Sequence, residues 1–359
     1  MKDIILQGDC VSILRTLPDK SVDLIFADPP YFMQTQGELL RTSGEKFSGV
    51  EDKWDKFESL KHYDEFCKAW LKECQRVLKD SGSIWVIGSF QNIFRLGYIM
   101  QDLGFWIIND VIWAKPNPVP NFKGTRFCNA HETLIWCAKN KNAKYTFNYK
   151  TMKFLNSNKQ ERSVWNIGIC IGNERLKDES GKKVHSTQKP ESLLEKVILS
   201  SSKQGDLVLD PFFGTGTTGA IAKKFGRYFI GIEQNESYIK SAKRRISQIN
   251  VVQNDISSGK LETKPPKVSL SELQRAGLLE FRQKLYDKHK NFICTLLDDD
   301  KVTDGVDELS IHKMAAKHLN KSNHNGWSYF FVKKGDGFVS LDAMRYEYKK
   351  ILYVKIPQK

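Results

Sequence analysis

Short apolar runs alternate with amphipathic stretches over the first 250 residues. Ile4-Ile5-Leu6-Gln7 closes on Gly8-Asp9-Cys10, which predicts a strand ending in a turn, and residues 11–17 continue as one or two helical turns. Ser21-Val22-Asp23-Leu24-Ile25-Phe26-Ala27 predicts a second strand. It must stop at Asp28-Pro29-Pro30-Tyr31, because two prolines fix φ and remove two backbone donors. Over 63–78, Phe66, Trp70, Leu71, Cys74, Val77 and Leu78 recur at helical spacing, and Gly82 is expected to break that helix. Residues 83–88 read as a buried strand, with further strands over 105–113 and 132–138. A helix is expected from Glu191. Residues 206–210 form another short apolar run, followed by a glycine-rich loop over 211–219 and a helix from Ala220. The next run, 228–232, ends at Glu233. Strands alternating with helices predict an α/β fold, a parallel or mixed sheet with helices on both faces.

The segments without periodicity are polar. Residues 32–58 form a long, charged, glycine-bearing loop with Trp54 and Phe57 embedded, placed beside the Asp28 turn. Residues 115–127 are broken by three prolines and carry Asn121, Phe122, Lys123, Arg126 and Phe127, a set suited to touching bases and phosphates. Residues 140–184 are basic and aromatic and read as an inserted recognition region. Residues 1–250 thus form one large domain, 251–268 a polar linker, and 269–359 a small α+β domain with strands expected over 329–332 and 353–356. That second domain suits DNA contact or dimerisation.

Charge narrows the partner. A net charge of +14 is the footprint of a polyanion, and does not separate DNA from RNA. No apolar run is long enough to span a bilayer, which gives the expectation of a cytoplasmic protein without a membrane partner. The seven cysteines are scattered without a Cys-x-x-Cys pair, so reduced thiols are expected and no metal site.

The chemistry concentrates in two places. The turn at Asp28 presents one carboxylate, outward carbonyls and the Tyr31 ring at the carboxyl end of a strand, where open α/β sheets bind ligands. That set suits a planar amino group and points to methyl transfer onto an exocyclic nitrogen of a nucleobase. Downstream, Gly214, Gly216 and Gly219 match G-x-G-x-x-G between a strand and a helix, and Glu233 stands at the next strand tip, where an acid holds ribose hydroxyls. A nicotinamide dinucleotide and S-adenosylmethionine both fit the loop and the acid. Only the methyl donor also accounts for Asp28-Pro29-Pro30-Tyr31.

Taken together, these motifs resemble the β-group DNA adenine-N6 methyltransferases, of the HinfI type and the bacterial cell-cycle-regulated type. The amino-holding turn precedes the Asp210-Pro211-Phe212-Phe213-Gly214-Thr215-Gly216-Thr217 loop, the circularly permuted order of that group. His185-Ser186-Thr187-Gln188-Lys189-Pro190 is similar to the family's His-Pro-Thr-Gln-Lys-Pro element, with Ser186 in place of proline. The resemblance spans nearly the whole chain, and residues 269–359 resemble the family's small DNA-binding domain. It implies a Rossmann-like methyltransferase sheet and S-adenosylmethionine as cofactor. Asp28, Pro29, Pro30 and Tyr31 would hold a flipped adenine. Asp210, Pro211, Phe212, Phe213, Gly214, Gly216 and Thr217 would cradle the donor, Glu233 its ribose and Asp9 its adenine. Thr187, Lys189 and Pro190 would lie near its methionine end. Asn121, Lys123, Arg126 and Trp54 would contact DNA. It further implies methylation of GANTC in double-stranded DNA and points to a homodimer on that palindrome, while a cognate restriction endonuclease and a solitary enzyme both stay open.

Other readings stay open on the residues alone. The same turn serves N4 of cytosine, though Ser-Pro-Pro-Tyr is the more usual form there. An RNA methyltransferase of related fold suits the charge equally. A non-catalytic DNA-binding protein on a degenerate fold would have lost the acid or the loop, and both are intact.

Overall fold

The computed structural model of the chain describes residues 2–32, 39–40, 46–47, 55–121, 124–178, 181–262 and 268–354. The chain forms two units, Met1–Thr263 and Lys264–Lys359.

The first unit is built on an eight-stranded sheet. Its strands are β1 (Ile4–Gln7), β2 (Val22–Ala27), β3 (Leu78–Gly88), β4 (Trp106–Ala114), β5 (His131–Ala138), β6 (Val164–Asn166), β7 (Leu207–Asp210) and β8 (Tyr228–Glu233). They lie side by side in the order β1-β8-β7-β2-β3-β5-β4-β6. From β1 to β3 the neighbours are parallel, β5 is antiparallel to both of its neighbours, and β6 is parallel to β4. A sheet covered on both faces explains why the run 24–27 is apolar throughout instead of alternating. The period of two survives in where the side chains go. Ile25 and Ala27 enter one core with α1 (Cys10–Thr16), α2 (Leu60–Val77) and α3 (Ile93–Asp102). Leu24 and Phe26 enter the other, with residues from α5 (Glu191–Ser201), α6 (Thr217–Lys224) and α7 (Glu236–Ser247). A seventh helix, α4 (Tyr149–Leu155), is tied to the end of α5 through Asn148, whose amide donates to Leu199 and Ser202 carbonyls at 2.7 and 2.8 Å.

Three boundaries differ from the sequence expectation. Helix α2 starts at Leu60, because Ser59 caps it by accepting from the His62 amide, and it ends at Val77 instead of Gly82. Gly82 lies inside β3, where a Cβ would stand 2.7 Å from Leu78 Cδ2 and 3.1 Å from the Asp23 carbonyl. Part of the 140–184 segment joins the sheet, since β6 pairs with β4 and Trp165 is buried in the second core. Residues 251–262 are strapped to the first unit and do not act as a free linker. Val252 N donates to Lys224 O at 2.7 Å, and the buried Arg227 guanidinium donates to the carbonyls of Ser257, Phe225 and Ser202.

The second unit carries a six-stranded antiparallel sheet. Its strands are β9 (Lys284–Tyr286), β10 (Phe292–Leu296), β11 (Lys301–Thr303), β12 (Glu308–Ser310), β13 (Phe331–Lys334) and β14 (Gly337–Ser340), in the order β12-β11-β10-β9-β13-β14. It has its own core around Leu273, Leu285, Phe330 and Leu341. The strand expected over 329–332 starts at Phe331, because Asn325 caps a helical turn at Gly326–Tyr329. The strand expected over 353–356 is not formed at its start. Tyr353 and Val354 close the helix Leu341–Val354, and 355–356 lie outside the described residues. Among the described residues, no helix is long and apolar enough to cross a membrane.

Candidate active site

Strands β2 and β7 are neighbours, with Leu24 opposite Val208 and Ile25 opposite Leu209. The chain leaves β2 through α2 toward β3 on one side, and leaves β7 through α6 toward β8 on the other. Where connections diverge in this way, a crevice opens at the carboxyl ends of parallel strands. A cavity of about 550 Å³ lies there. It brings together Asp28, Pro29, Pro30 and Tyr31 after β2, Asp210 to Gly214 after β7, Glu233 at the tip of β8, and Thr187 and Lys189 before α5.

The turn at Asp28 is built with its polar groups sorted. The Pro30 carbonyl is committed inward, accepting from the Tyr63 hydroxyl at 2.8 Å and from Asn92 at 3.5 Å. The Pro29 carbonyl has no donor among the described residues. Asp28 accepts from the Lys189 ammonium at 2.6 Å, and Lys189 is buried. Burial pushes the Asp28 carboxyl up, against the pull of Lys189. Burial also opposes the charge on Lys189, but Asp28 and Glu132 together hold its ammonium above the usual lysine value. The Tyr31 hydroxyl donates to Glu132 at 2.8 Å, and Lys115 donates to the other oxygen of Glu132 at 2.5 Å. Asp55 accepts from the Phe32 amide at 2.7 Å, which ties Asp55 to the residue that follows Tyr31.

On the opposite wall, Asp210 folds its carboxylate back into the loop, accepting from Phe212 N at 2.9 Å and Thr218 Oγ1 at 2.6 Å. Glu233 accepts from the amides of Gly214 and Asn235, both at 2.8 Å. The two phenylalanines part company. Phe212 lines the cavity against Phe66 and Trp70, while the Phe213 ring is buried in the second core, stacked on Phe229. A Cβ on Gly231 or Gly219 would stand 2.3 or 2.5 Å from that ring, and one on Gly216 would stand 2.8 Å from Ala242 Cβ. Gly216 and Gly219 therefore serve helix packing, with Gly216 at φ +77° as the cap of α6, and Gly214 is the glycine that faces the cavity. Pro190 caps α5 outside the lining, and Asp9 spends its carboxylate capping α1 through Ser12 N at 2.9 Å, so Gly8 and Cys10 face the cavity in its place. Thr217 lines it and accepts from Arg245 at 2.8 Å.

Burial pushes the Asp210 carboxyl up to about 7, against donation from Thr218 and Phe212. Its unfolded value is 3.8. Between those two values the unfolded chain releases the proton first, so stability falls as pH rises and levels off above the folded pKa. Relative to Asp210→Asn, the wild type should lose up to about 1.4 kcal/mol per pH unit across that window. Denaturant unfolding of both proteins across the window checks this, and parallel curves would contradict it.

Of the expected DNA contacts, Asn121 donates to the Arg126 carbonyl at 2.7 Å, and the Arg126 guanidinium lies 5.3 Å from the Phe90 ring centre. Lys123 and Trp54 lie outside the described residues. Three groups carried no catalytic role in the sequence reading: His185, which lines the cavity, and Glu132 and Lys115, which stand behind Tyr31. Glu132 and Lys115 sit at strand ends, without a motif to flag them. His185 opens the 185–190 stretch, lines the cavity and accepts from Thr187 N at 3.1 Å through Nδ1. Burial, then Lys189 and Arg175, push its pKa down to about 4, which keeps it neutral.

The lining fits an adenosine-bearing methyl donor, with an acid for hydroxyls at Glu233, a glycine for close approach at Gly214 and aromatic walls at Phe212 and Phe66. With an amino-holding turn facing such a cavity, the fold and the site define a methyltransferase for exocyclic amino groups. Residues 22–244 match a family of DNA methylases, the N6/N4 type. The chain is 63% identical over 344 residues to the type II methyltransferase M.HinfI of Haemophilus influenzae, covering 96% of each chain. It is 41% identical over 250 residues to the type II methyltransferase M2.DpnII of Streptococcus pneumoniae, covering 69% of this chain and 91% of that one. Among solved structures, the M1.HpyAVI–SAM complex aligns at a TM-score of 0.51 and 25% identity, over 67% of this chain and 98% of that one. The cytosine-N4-specific PvuII DNA methyltransferase shares the fold at a TM-score of 0.54 and 22% identity, over 74% of this chain and 94% of that one. The chain belongs to the N6/N4 DNA methylase family. It is an S-adenosylmethionine-dependent enzyme whose substrate is DNA.

Proposed function

We propose that the protein methylates N6 of adenine within GANTC in duplex DNA. The observation that carries this reading is the meeting of Asp28-Pro29-Pro30-Tyr31, the Gly214 loop and Glu233 in one cavity, although they lie far apart in the chain. The carboxylate of Asp28 accepts one N6 hydrogen and the Pro29 carbonyl accepts the other. Held this way, the amino lone pair leaves conjugation with the ring and points into the cavity. Tyr31 stacks on the base, which has swung out of the duplex at a cost of about a few kcal/mol. S-adenosylmethionine supplies a methyl group already activated on a sulfonium leaving group, so direct in-line transfer requires positioning more than a strong base. Glu233 holds its ribose hydroxyls, Asp210, Pro211, Phe212 and Gly214 flank it, and Thr187 and Lys189 lie toward its methionine end.

Glu233→Gln removes the charge that accepts those hydroxyls. It is expected to raise KM for S-adenosylmethionine about tenfold to a hundredfold, the size of a charged hydrogen bond, with a smaller change in KM for DNA. Equal changes in both constants would place Glu233 outside the donor site.

The 115–127 loop and residues 269–359 contact the DNA, supported by the exposed Arg126 and Phe127 and by the basic surplus of the chain. The palindromic target gives a homodimer its geometric reason, and sedimentation of the purified protein tests it. The protein works in the cytoplasm beside a cognate endonuclease; a host activity that cuts unmethylated GANTC, and spares methylated GANTC, would identify that partner. Plasmid DNA treated with the enzyme should resist a nuclease blocked by methylation at GANTC. Complete cleavage would refute the target.

A further inference from the structure

The Tyr31 hydroxyl shares its site with two carboxylates. It donates to Glu132 at 2.8 Å, and the Lys189 ammonium that holds Asp28 at 2.6 Å lies 5.2 Å from the Tyr31 ring centre, so the second carboxylate stands on the same side of the ring. A phenol has one proton to donate. Whichever carboxylate takes it loses acceptor capacity, and Asp28 is the group that the target amino nitrogen needs. Glu132 opens β5 as its second residue, with Trp113 opposite it on β4, and Lys115 follows β4 directly. The Lys115–Glu132 pair is nearly enclosed, at 10% and 12% side-chain exposure, and its 2.5 Å contact fixes one carboxylate oxygen. The other oxygen is left facing Tyr31. Asp28 and Glu132 are matched by Lys189 and Lys115, so the buried cluster carries two charges of each sign.

We infer that Glu132, held by Lys115, is a positioning residue that takes the Tyr31 proton and thereby keeps Asp28 open to the amino group of the target base. Neither residue belongs to the Asp28 turn or the glycine loop. The inference rests on Asp28 and Tyr31 being the base-holding groups.

Glu132→Gln tests the direction of that proton. An amide has one acceptor oxygen, and Lys115, the charged donor, takes it. The amide NH₂ then faces the Tyr31 hydroxyl, which must turn its proton to Asp28. The expected result is a fall in kcat of about 10- to 100-fold, with KM for S-adenosylmethionine and DNA changed by less than about threefold. Adding Tyr31→Phe removes the competing proton while keeping the ring, so the double variant should turn over faster than Glu132→Gln alone. A purely structural role predicts losses that accumulate, and that result, or wild-type activity in Glu132→Gln, would overturn the inference. If Glu132→Gln fails to fold, Lys115→Met with Glu132→Met removes both buried charges and is read the same way, with and without Tyr31→Phe. Asp28→Asn is run alongside. Activity in that variant would remove the underlying site reading, whereas an inactive Asp28→Asn beside an unaffected Glu132→Gln would remove this inference alone.

Discussion

Asp28→Asn should lower kcat for methyl transfer by about 1,000-fold and leave S-adenosylmethionine binding within a few-fold of wild type. Asparagine keeps the shape but offers one acceptor oxygen, and the buried Lys189 ammonium, 2.6 Å from the carboxylate it replaces, captures it. The side-chain NH₂ then meets the amino group of the base, donor against donor. Losing one oriented partner of the reacting centre costs roughly 3–4 kcal/mol in comparable sites, which is the predicted factor. The same substitution leaves Lys189 short of its main counter-charge. Breaking a buried pair costs about 3–5 kcal/mol, and Glu132 nearby offsets part of that. The thermal midpoint should therefore fall too. Lys189→Met in the Asp28→Asn background should restore the midpoint without restoring transfer. Kinetics within tenfold of wild type would remove Asp28 from its role as acceptor.

Gly231→Ala should unfold the donor wall from behind. Its new methyl would stand 2.3–2.5 Å from three ring atoms of Phe213, and that ring has nowhere to go. Gly219 and Gly216 wall it on the α6 side, Phe229 stacks on it, and its amide donates to the Ile232 carbonyl at 2.9 Å. Overpacking of this kind costs about 3 kcal/mol, or roughly 6–12 °C in a domain of this size. Because Phe213 leads directly into Gly214, donor affinity should fall with stability. Phe213→Leu makes room and should return part of both. An unchanged midpoint in Gly231→Ala would mean that the ring does not fill that slot.

These two residues show what was legible in the sequence and what was not. Asp28 was readable because a fully apolar run ends on two prolines, a signal carried by adjacent residues. The strand before Gly214 and the acid at Glu233 were readable for the same local reason. The partners of these groups were not. Lys189 stands far along the chain from Asp28, and Glu132 and Tyr31 meet only because β5 is laid beside β3 and β3 beside β2. Gly216 and Gly219 fitted a ligand-binding spacing, but their lost side chains make room for Ala242 and Phe213, and no periodicity separates a glycine facing a ligand from one facing a ring. Gly82 read as a helix stop because glycine is unfavourable inside a helix. In the sheet, Lys79 pairs with Asp23 at 2.7 Å, which makes a polar strand start stable. Residues 251–262 lack apolar periodicity because Arg227 and backbone hydrogen bonds hold them, helped only by the isolated apolar contacts of Ile256 and Leu261. Tyr353 and Val354 are strand formers by composition, yet they lie in a helix whose earlier residues, Leu341 and Met344, are buried in the second core. Tertiary packing overrode their local preference.

The most direct test incubates the purified protein with methyl-labelled S-adenosylmethionine and duplex DNA, then identifies the labelled base and its flanking sequence. The account predicts N6-methyladenine inside GANTC, and no label with Asp28→Asn. N4-methylcytosine, or label that persists in Asp28→Asn, would contradict it.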